Sequence, residues 1–217
     1  MRTIGIIPVR MGSSRFPGKP LALLHGMPML GHVYFRSRLN RRLAATYIAT
    51  CDEEICQYAT AIGAECIMTS PSHDRASDRT AEAACAIDAL SNTAIDIVVM
   101  IQGDEPMLRP EMLDEALEPL DRDPGVQVVN LMAPIDVDAA ADANEVKVVV
   151  ARNGNALYFS RHPLPWHRRP DVPDLFKQVC VIPFRRDFLA TFASLEPTAL
   201  ERAESIDMLR ALEHGCT

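Results

Sequence analysis

The residues best suited to chemistry lie in one short loop, residues 8–20, which directly follows an apolar β run at residues 3–7. Its sequence, PVRMGSSRFPGKP, contains two glycines, two serines and three cations, namely Gly12, Gly18, Ser13, Ser14, Arg10, Arg15 and Lys19. Glycines allow backbone N–H groups to approach an anion closely. Arginine and lysine add charge-assisted donors for an anion with many oxygens. The loop is therefore predicted to bind a polyphosphate.

The alternative is a solvated turn with incidental basic residues. It leaves unexplained why three cations follow the first strand, at the strand end where α/β sheets bind ligands. The loop lacks the Gly-Lys-Ser/Thr spacing of a P-loop and also lacks the dinucleotide fingerprint.

A second polar segment, Gln102-Gly103-Asp104-Glu105-Pro106, follows an apolar run at residues 95–101 that is typical of a central strand. A carboxylate at this strand end would face the same crevice as the first loop. Beside a polyphosphate it would hold Mg²⁺, which takes one or two carboxylates and completes its shell with phosphate oxygens and water. Gly103 is expected to keep the backbone open for close approach. The alternative is a turn in which Asp104 or Glu105 caps the next element.

Two further segments carry cations at positions that favour anion binding. Residues 72–79 open a predicted helix, and Arg79 could reach a ligand there; an N-cap role for Ser77 or Asp78 is the alternative. Arg161 ends a predicted strand before a rigid Pro-x-Pro segment, and its guanidinium suits a carboxylate; an exposed strand-end arginine is the alternative. Lys147, inside an apolar strand, either snorkels at the sheet edge or points into the crevice.

The elements that must position these residues alternate between β and helical patterns in the first half of the chain. Strands are predicted at 3–7, 46–50, 65–68 and 95–101, and helices at 29–43, 52–61, 79–90 and 111–120, with the Asp52 carboxylate as a cap. This order predicts an α/β fold with a doubly wound, mostly parallel sheet.

The second half is predicted to form strands joined by turns, followed by helices from residues 186 and 198. The strands are expected at 126–132, 146–150, 156–159 and 179–184, with an Asn153-Gly154 hairpin and a proline-rich stretch at 163–173. We expect one domain over 1–217, with a first half at 1–125 and a protruding second half at 126–217.

Composition limits the classes of partner. The chain has 217 residues, a net charge of −7 and a pI near 5.4, which argues against nucleic-acid and membrane-surface binding. No apolar run approaches the ~20 residues of a membrane span, and no signal peptide is expected. Six cysteines without a C-x-x-C pair predict buried free thiols in a reducing cytoplasm, with no disulfide or zinc site.

Together these segments resemble the CMP-Kdo synthetases, the cytidylyltransferases that activate 3-deoxy-manno-octulosonate. The resemblance runs from residue 1 to about residue 215 and rests on residues 8–21, 102–106, 144–149, 156–166 and 200–215. It implies a Rossmann-like nucleotidyltransferase fold. It also implies a reaction in which the anomeric hydroxyl of a 2-keto-3-deoxy sugar acid attacks the α-phosphate of CTP, giving a CMP-sugar and pyrophosphate.

The resemblance assigns residue roles. Arg10, Lys19 and Asp104 would be catalytic, with Mg²⁺ held by Asp104. The nucleotide would be bound by Pro8, Arg10, Gly12, Ser13, Arg15, Lys19, Ser77, Arg79 and Gln102. The sugar acid would be bound by Gln102, Arg161, Gln178 and Asp207. Family members are dimers, and the apolar, proline-rich region 156–185 is compatible with a homodimer.

Three departures from the family pattern fall outside the nucleotide loop. A Gly-Val-Asp-Thr-Pro-Glu-Asp block with a second metal ligand does not occur before the chain ends at Thr217. The usual His-x-Gly-x-Tyr is Gln178 to Ile182, and the usual Leu-Glu-Gln-Leu-Arg is Ile206 to Arg210.

The departures leave alternatives open. Loss of polar partners on the sugar side predicts a changed sugar preference, because sites that hydrogen-bond hydroxyls discriminate strongly. The chain could thus transfer CMP to a different 2-keto acid. The missing second metal ligand favours a different alternative, a catalytically weak or inactive binding relative. A nucleotidyltransferase that uses ATP or UTP is disfavoured by the first loop.

Overall fold

The computed structural model describes residues 1–12, 16–166 and 174–216. These residues form two compact units. The first contains residues 1–129 and 180–193, and the second contains residues 130–179 and those from 194 onward. The predicted division into halves at 1–125 and 126–217 stays a prediction.

The described strands, in chain order, are β1 (Thr3–Pro8), β2 (Leu23–Leu24), β3 (Met27–Pro28), β4 (Leu43–Thr50), β5 (Glu65–Met68), β6 (Ile97–Ile101), β7 (Leu131–Ile135), β8 (Lys147–Val150), β9 (Ala156–Ser160), β10 (Leu175–Val179) and β11 (Val181–Arg185). The α-helices are α1 (Met29–Ser37), α2 (Glu53–Ala61), α3 (Ala76–Leu90), α4 (Pro110–Arg122), α5 (Val137–Ala140), α6 (Arg186–Ser194), α7 (Ala199–Glu204) and α8 (Met208–Glu213). A short 3₁₀ helix covers Lys19–Leu21.

The first unit is built on a five-stranded sheet with the order β11-β6-β1-β4-β5. β1 is parallel to both β4 and β6, and β4 is parallel to β5, whereas β11 is antiparallel to β6 at the edge. The prediction of an α/β fold with a mostly parallel sheet is confirmed. The chain moves outward from β1 in one direction through β4 and β5 and in the other through β6. The carboxyl ends of β1 and β6 therefore form the switch point where such sheets bind ligands.

The core of the first unit lies along its two central strands. Ile4, Ile6 and Ile7 of β1 have no exposed surface, and neither do residues 97–101, which make up all of β6. Strands covered on both faces read as continuous apolar runs, which is why the sequence identified both of them. This packing fixes the two strand ends from which the predicted site residues extend.

The second unit contains an antiparallel sheet with the order β7-β10-β8-β9. The predicted hairpin at Asn153-Gly154 is confirmed, because β8 and β9 pair across it and Gly154 has φ +88°. In α7 and α8, the Glu201 carboxylate accepts hydrogen bonds from the Arg210 guanidinium at 2.8 and 2.7 Å, and both side chains are buried. This bidentate pair ties the two helices together.

The predicted helix over 29–43 is too long, since α1 ends at Ser37. The side-chain Oδ1 of Asn40 accepts a hydrogen bond from the backbone N–H of Arg42 at 2.9 Å, and its side-chain Nδ2 donates to Pro110 O at 2.8 Å. A side chain that bonds the backbone in this way offers an alternative to helical hydrogen bonding. The chain consequently turns here and enters β4 at Leu43.

Two predicted strands in the second half are also corrected. Within 126–132, Val128 makes a single antiparallel bridge to Phe184, and the regular strand begins only at Leu131. The predicted strand 179–184 is two strands in two different sheets, separated at Cys180. Both corrections have one cause, because the chain passes from one unit to the other at 129/130 and again at 179/180.

All six cysteines are free thiols, as predicted, but they are not buried. Five are partly exposed and Cys85 is exposed. Partial burial raises the pKa of the Cys66 thiol to about 12, and its hydrogen bond to Cys56 contributes to the rise. Among the helices that the structure describes, none has the length and apolar character needed to cross a membrane.

Candidate active site

The first loop and the second polar segment leave the sheet side by side, because β1 and β6 are neighbouring parallel strands. Pro8 is the buried last residue of β1, and Ile101 is the buried last residue of β6. The N–H of Gln102 donates to Cys180 O at 3.0 Å and continues the pairing of β6 with β11 beyond the strand end. The structure thus brings together the first loop and the second polar segment, as the sequence predicted.

An ion pair between Lys19 and Asp104 joins the two segments. Lys19 Nζ lies 2.8 Å from Asp104 Oδ2, and the side chains are 38% and 42% exposed. Lys19 begins the 3₁₀ helix directly after Gly18, which has φ +74° and so takes a conformation that a residue with a side chain rarely adopts. The cation and the carboxylate predicted for the triphosphate and the metal are therefore in contact and open to solvent.

Gly103 allows the close approach of the two segments to each other. A Cβ atom at Gly103 would lie 2.0 Å from Cγ1 of Val9, which is buried in the first loop. A side chain at residue 103 would have to displace Val9, so the glycine is required for the packing of the two segments. Its expected role in the close approach of a ligand stays a prediction.

Arg10 extends toward the loop at residues 69–75 between β5 and α3. Its Nη1 donates to His73 O at 3.3 Å and lies 3.5 Å from Asp74 Oδ1. Asp74 is 93% exposed, so this ion pair is weak. Both first-loop cations that the structure describes, Arg10 and Lys19, are thus paired with carboxylates that a phosphate could replace.

The 69–75 loop is itself held by side chains from α3. Arg79 is buried and donates to the hydroxyl of Thr69 and to His73 O. Glu82 accepts from the N–H of Ser70 at 2.9 Å and contacts the His73 ring. Burial alone would raise the pKa of Glu82, but these hydrogen bonds and the nearby Arg79 charge outweigh it, so the pKa is lowered. The sequence gave no role to His73 and missed Glu82.

The remaining predicted nucleotide residues have different surroundings. Gly12 is exposed, and Ser13 and Arg15 lie outside the described residues. α3 begins at Ala76 with Arg75 at the N-cap, which corrects the alternative that Ser77 or Asp78 caps the helix. Ser77 is fully buried, and Arg79 is 2% exposed and bonded to the loop. The nucleotide-binding roles of these residues remain predictions.

In the second unit, the Arg161 guanidinium is bonded to backbone carbonyls. Its Nε donates to Glu204 O at 2.7 Å, its Nη1 to Ala143 O at 2.9 Å and its Nη2 to Ser205 O at 3.3 Å. These bonds use three of its five N–H donors. Among the described residues, the other two donors have no hydrogen-bond partner, and the contact with a sugar carboxylate stays a prediction.

Lys147 takes neither of its two predicted positions. The side chain is fully buried, and its Nζ donates to the carbonyls of Asp142, Glu145 and Arg161 at 2.8, 2.6 and 2.6 Å. Burial lowers the pKa of this ammonium, against the opposing charges of Asp142 and Glu145. All three donors are satisfied, so Lys147 connects the 142–145 turn to the end of β9.

The other predicted sugar-side residues are distributed over both units. Gln178 in β10 donates to Asn130 Oδ1 at 2.6 Å. Asp207 precedes α8 at its N-cap. Ile182, in the first unit, is 1% exposed and lies in register with Met100 of β6. The structure tests none of these three positions as sugar contacts.

Comparison with known proteins agrees with this arrangement. A family profile described as cytidylyltransferase matches residues 4–217, and the chain therefore belongs to this family of nucleotidyltransferases. The 3-deoxy-manno-octulosonate cytidylyltransferase of Pelobacter propionicus is 42% identical over 227 aligned residues, which cover 99% of this chain and 87% of that protein. The Geobacter sulfurreducens enzyme of the same name is 42% identical, covering 100% and 89%. Within the cytidylyltransferases, the chain belongs to the CMP-Kdo synthetases, as its motifs predicted.

Solved structures lead to the same assignment. A CMP:2-keto-3-deoxy-manno-octonic acid synthetase complexed with CTP superposes with a TM-score of 0.89 at 37% identity, covering 99% of this chain and 87% of that one. A 4-diphosphocytidyl-2C-methyl-D-erythritol synthase superposes with a TM-score of 0.64 at 13% identity, which indicates a shared fold only.

Proposed function

We propose that this cytidylyltransferase transfers CMP from CTP to 3-deoxy-manno-octulosonate (Kdo) in a Mg²⁺-dependent reaction. The observation that carries the proposal is the 2.8 Å contact between Lys19 and Asp104 at the switch point of the sheet. It supports the proposal because the cation expected to bind phosphate and the carboxylate expected to bind the metal lie together, on the two segments whose motifs are most specific to the family. The names of the relatives and the CTP in the solved relative support CTP and Kdo as substrates.

The proposed reaction needs no nucleophilic side chain. The anomeric hydroxyl oxygen of Kdo forms a bond to the α-phosphorus of CTP, and the bond from that phosphorus to the bridging oxygen breaks. Pyrophosphate leaves, and the hydroxyl proton passes to solvent. Phosphoryl-type transfers depend on positioning and on cations that neutralise charge on the leaving group. Lys19 and Arg10 would supply that charge at the β- and γ-phosphates.

The described residues fit a Mg²⁺ ion that would take one ligand from the protein and the others from phosphate oxygens and water. Asp104 offers a partly exposed carboxylate, and Mg²⁺ typically takes one or two protein carboxylates with phosphate oxygens and water. Across residues 1–12, 16–166 and 174–216, no group of three or more histidine, cysteine or acidic side chains forms a metal cage. When bound, Mg²⁺ would neutralise negative charge on the phosphate oxygens.

The sugar-acid side of the proposal rests on Gln102, Arg161, Gln178 and Asp207. Within the described part of the chain, Arg161 keeps two N–H donors beyond its three carbonyl contacts, which is the number needed for a bidentate carboxylate contact. Assembly as a homodimer and a cytoplasmic location belong to the same proposal.

The test is pyrophosphate release from CTP and Mg²⁺ with Kdo, run beside a panel of other 2-keto sugar acids. Release with Kdo is the expected result. Release only with another acid would show that the changes at Gln178, Ile182 and Asp207 alter specificity. CTP binding without release from any acid would identify the chain as an inactive binding relative and overturn the proposal.

The nucleotide is tested separately by thermal melting with CTP, ATP and UTP. A ligand present at 100 times its Kd stabilises the folded state by about 2.7 kcal/mol. We expect the largest rise in Tm with CTP. A larger rise with ATP or UTP would contradict the assignment of the base.

A further inference from the structure

Asp52 lies beside the first loop, at the junction of β4 and α2. It occupies the N-cap position of α2, yet its side chain makes no hydrogen bond to that helix. The predicted capping role is therefore wrong. Its Oδ2 instead accepts the backbone N–H of Met11 at 2.8 Å, across 41 residues of sequence. The backbone of Asp52 is itself fixed, because its N–H donates to Thr50 Oγ1 at 3.1 Å.

Both backbone groups of Met11, the N–H and the carbonyl, are hydrogen-bonded. Its carbonyl accepts the N–H of Gly18 at 3.2 Å, which holds Met11 and Gly18 together. Arg10 directly precedes Met11, and Lys19 directly follows Gly18. The position of the Met11 backbone therefore constrains where the backbones of Arg10 and Lys19 lie.

The Met11 contact differs in kind from the other bonds of the loop. Val9 N–H donates to Ala49 O at 2.9 Å and extends the pairing of β1 with β4, so the loop is fixed up to residue 9 by the sheet. Beyond residue 9, the Asp52 carboxylate supplies the next bond to the sheet.

We propose that Asp52 is a positioning residue for the nucleotide loop. By holding the Met11 N–H, its carboxylate fixes the separation of Arg10 and Lys19, on which triphosphate binding depends. This inference rests on the proposed function, because it assumes that the two cations bind the triphosphate of CTP.

The test compares three variants of the full chain. Asp52→Ser keeps a good helix-capping side chain but is too short to reach Met11, so α2 is preserved while the loop contact is lost. Asp52→Asn keeps an oxygen that can still accept the Met11 N–H. Glu53→Gln removes one negative charge from the adjacent exposed residue and serves as the control. We expect Asp52→Ser to raise the KM for CTP about tenfold with a smaller change in kcat. The other two should remain within about threefold.

Amide hydrogen exchange at Met11 in the ligand-free protein gives a readout that does not depend on turnover. Exchange should become faster in Asp52→Ser and stay close to the native rate in Asp52→Asn. If Asp52→Ser lowers Tm but leaves Met11 exchange and the KM for CTP unchanged, Asp52 only supports α2 and the inference is wrong. Equal damage in Asp52→Asn would also overturn it, because the charge rather than the contact would then matter.

The two proposals fail in different ways. If the native chain releases no pyrophosphate with any acid, the proposed function fails, and CTP affinity by calorimetry replaces KM. Asp52→Ser should then weaken CTP binding by the same factor. Unchanged affinity together with faster Met11 exchange would show that the loop position does not govern nucleotide binding.

Discussion

At the residue scale, the main feature is that cations and carboxylates of the candidate site are paired with each other. Lys19 contacts Asp104, and Arg10 contacts Asp74. All four side chains are more than a third exposed, and exposed ion pairs contribute only about 0–1 kcal/mol. Ligand phosphates can therefore replace these carboxylates at little cost in free energy.

Asp104→Asn should lower Mg²⁺-dependent turnover by about 100-fold or more while the fold is retained, because the variant removes the charge that would bind the metal. Pyrophosphate release measured against Mg²⁺ concentration tests this, with Tm measured in parallel. Glu118→Gln, which removes the carboxylate of an exposed ion pair with Arg122 on α4, is the matched control. Unchanged turnover in Asp104→Asn would remove Asp104 from the site.

Lys19→Ala should weaken binding of CTP about tenfold and change binding of CMP by less than about twofold. The expected difference arises because Lys19 is assigned to the β- and γ-phosphates, which CMP lacks. Titration calorimetry with both nucleotides measures it. An equal loss for CTP and CMP would place Lys19 away from those phosphates.

At the element scale, the site depends on how closely two loops pack at the ends of β1 and β6. Val9 fills the space that a side chain at residue 103 would need, and Asp52 connects the junction of β4 and α2 to the same loop. Arg79 and Glu82 of α3 hold the neighbouring 69–75 loop. Four consecutive strands of the sheet thus contribute to the geometry of one crevice.

Gly103→Ala should destabilise the protein by about 1–3 kcal/mol and reduce turnover, because the new Cβ atom overlaps Val9 and displaces the turn that carries Asp104. Val9→Ala removes the overlapping atom. The double variant Val9→Ala/Gly103→Ala should therefore be more stable than the sum of the single changes predicts. Urea denaturation of all four proteins measures this coupling. Additive losses would mean that the two residues do not meet.

The sequence was most informative where the determining contacts were local. Continuous apolar runs identified β1 and β6, Asn153-Gly154 identified a hairpin, and loop composition predicted that the segments of Lys19 and Asp104 face one site, where the two side chains are in contact. The contacts of Val9 with Gly103 and of Asp52 with Met11 had no local signature, because each joins residues far apart in the chain. The break at Cys180 was missed for a related reason, since residues 179–184 read as one apolar run and only the tertiary fold divides it.

At the scale of the whole molecule, each unit contains a carboxylate whose pKa is lowered by hydrogen bonds despite burial. Glu82 in the first unit accepts from Ser70 and His73. In the second unit, burial would raise the pKa of Glu204, but bonds from Ser160 at 2.6 Å and from the Arg161 N–H at 2.9 Å outweigh it. Both units are therefore sensitive to acid.

A carboxylate with a lowered pKa in the folded state stabilises the protein above its unfolded pKa, near 4.5, and this contribution is lost as the pH falls through the folded pKa. Glu82→Gln and Glu204→Gln should each lower Tm at pH 7 and approach the native Tm at pH 3. Calorimetry from pH 3 to 7 measures this, with Glu118→Gln as control. A difference in Tm that is the same at every pH would contradict the prediction.

The division of the chain between the units has a consequence for the order of events during synthesis. β6 needs β11 as its neighbour, yet residues 102–180 are made between the two strands. At 5–20 residues per second, that interval is roughly 4–16 s. Throughout it, a fully apolar strand presents an open edge, which is where a nascent chain is most prone to associate with another. Ribosome speed and chaperone supply should thus affect the yield of folded protein, whereas the stability of the finished fold does not depend on them.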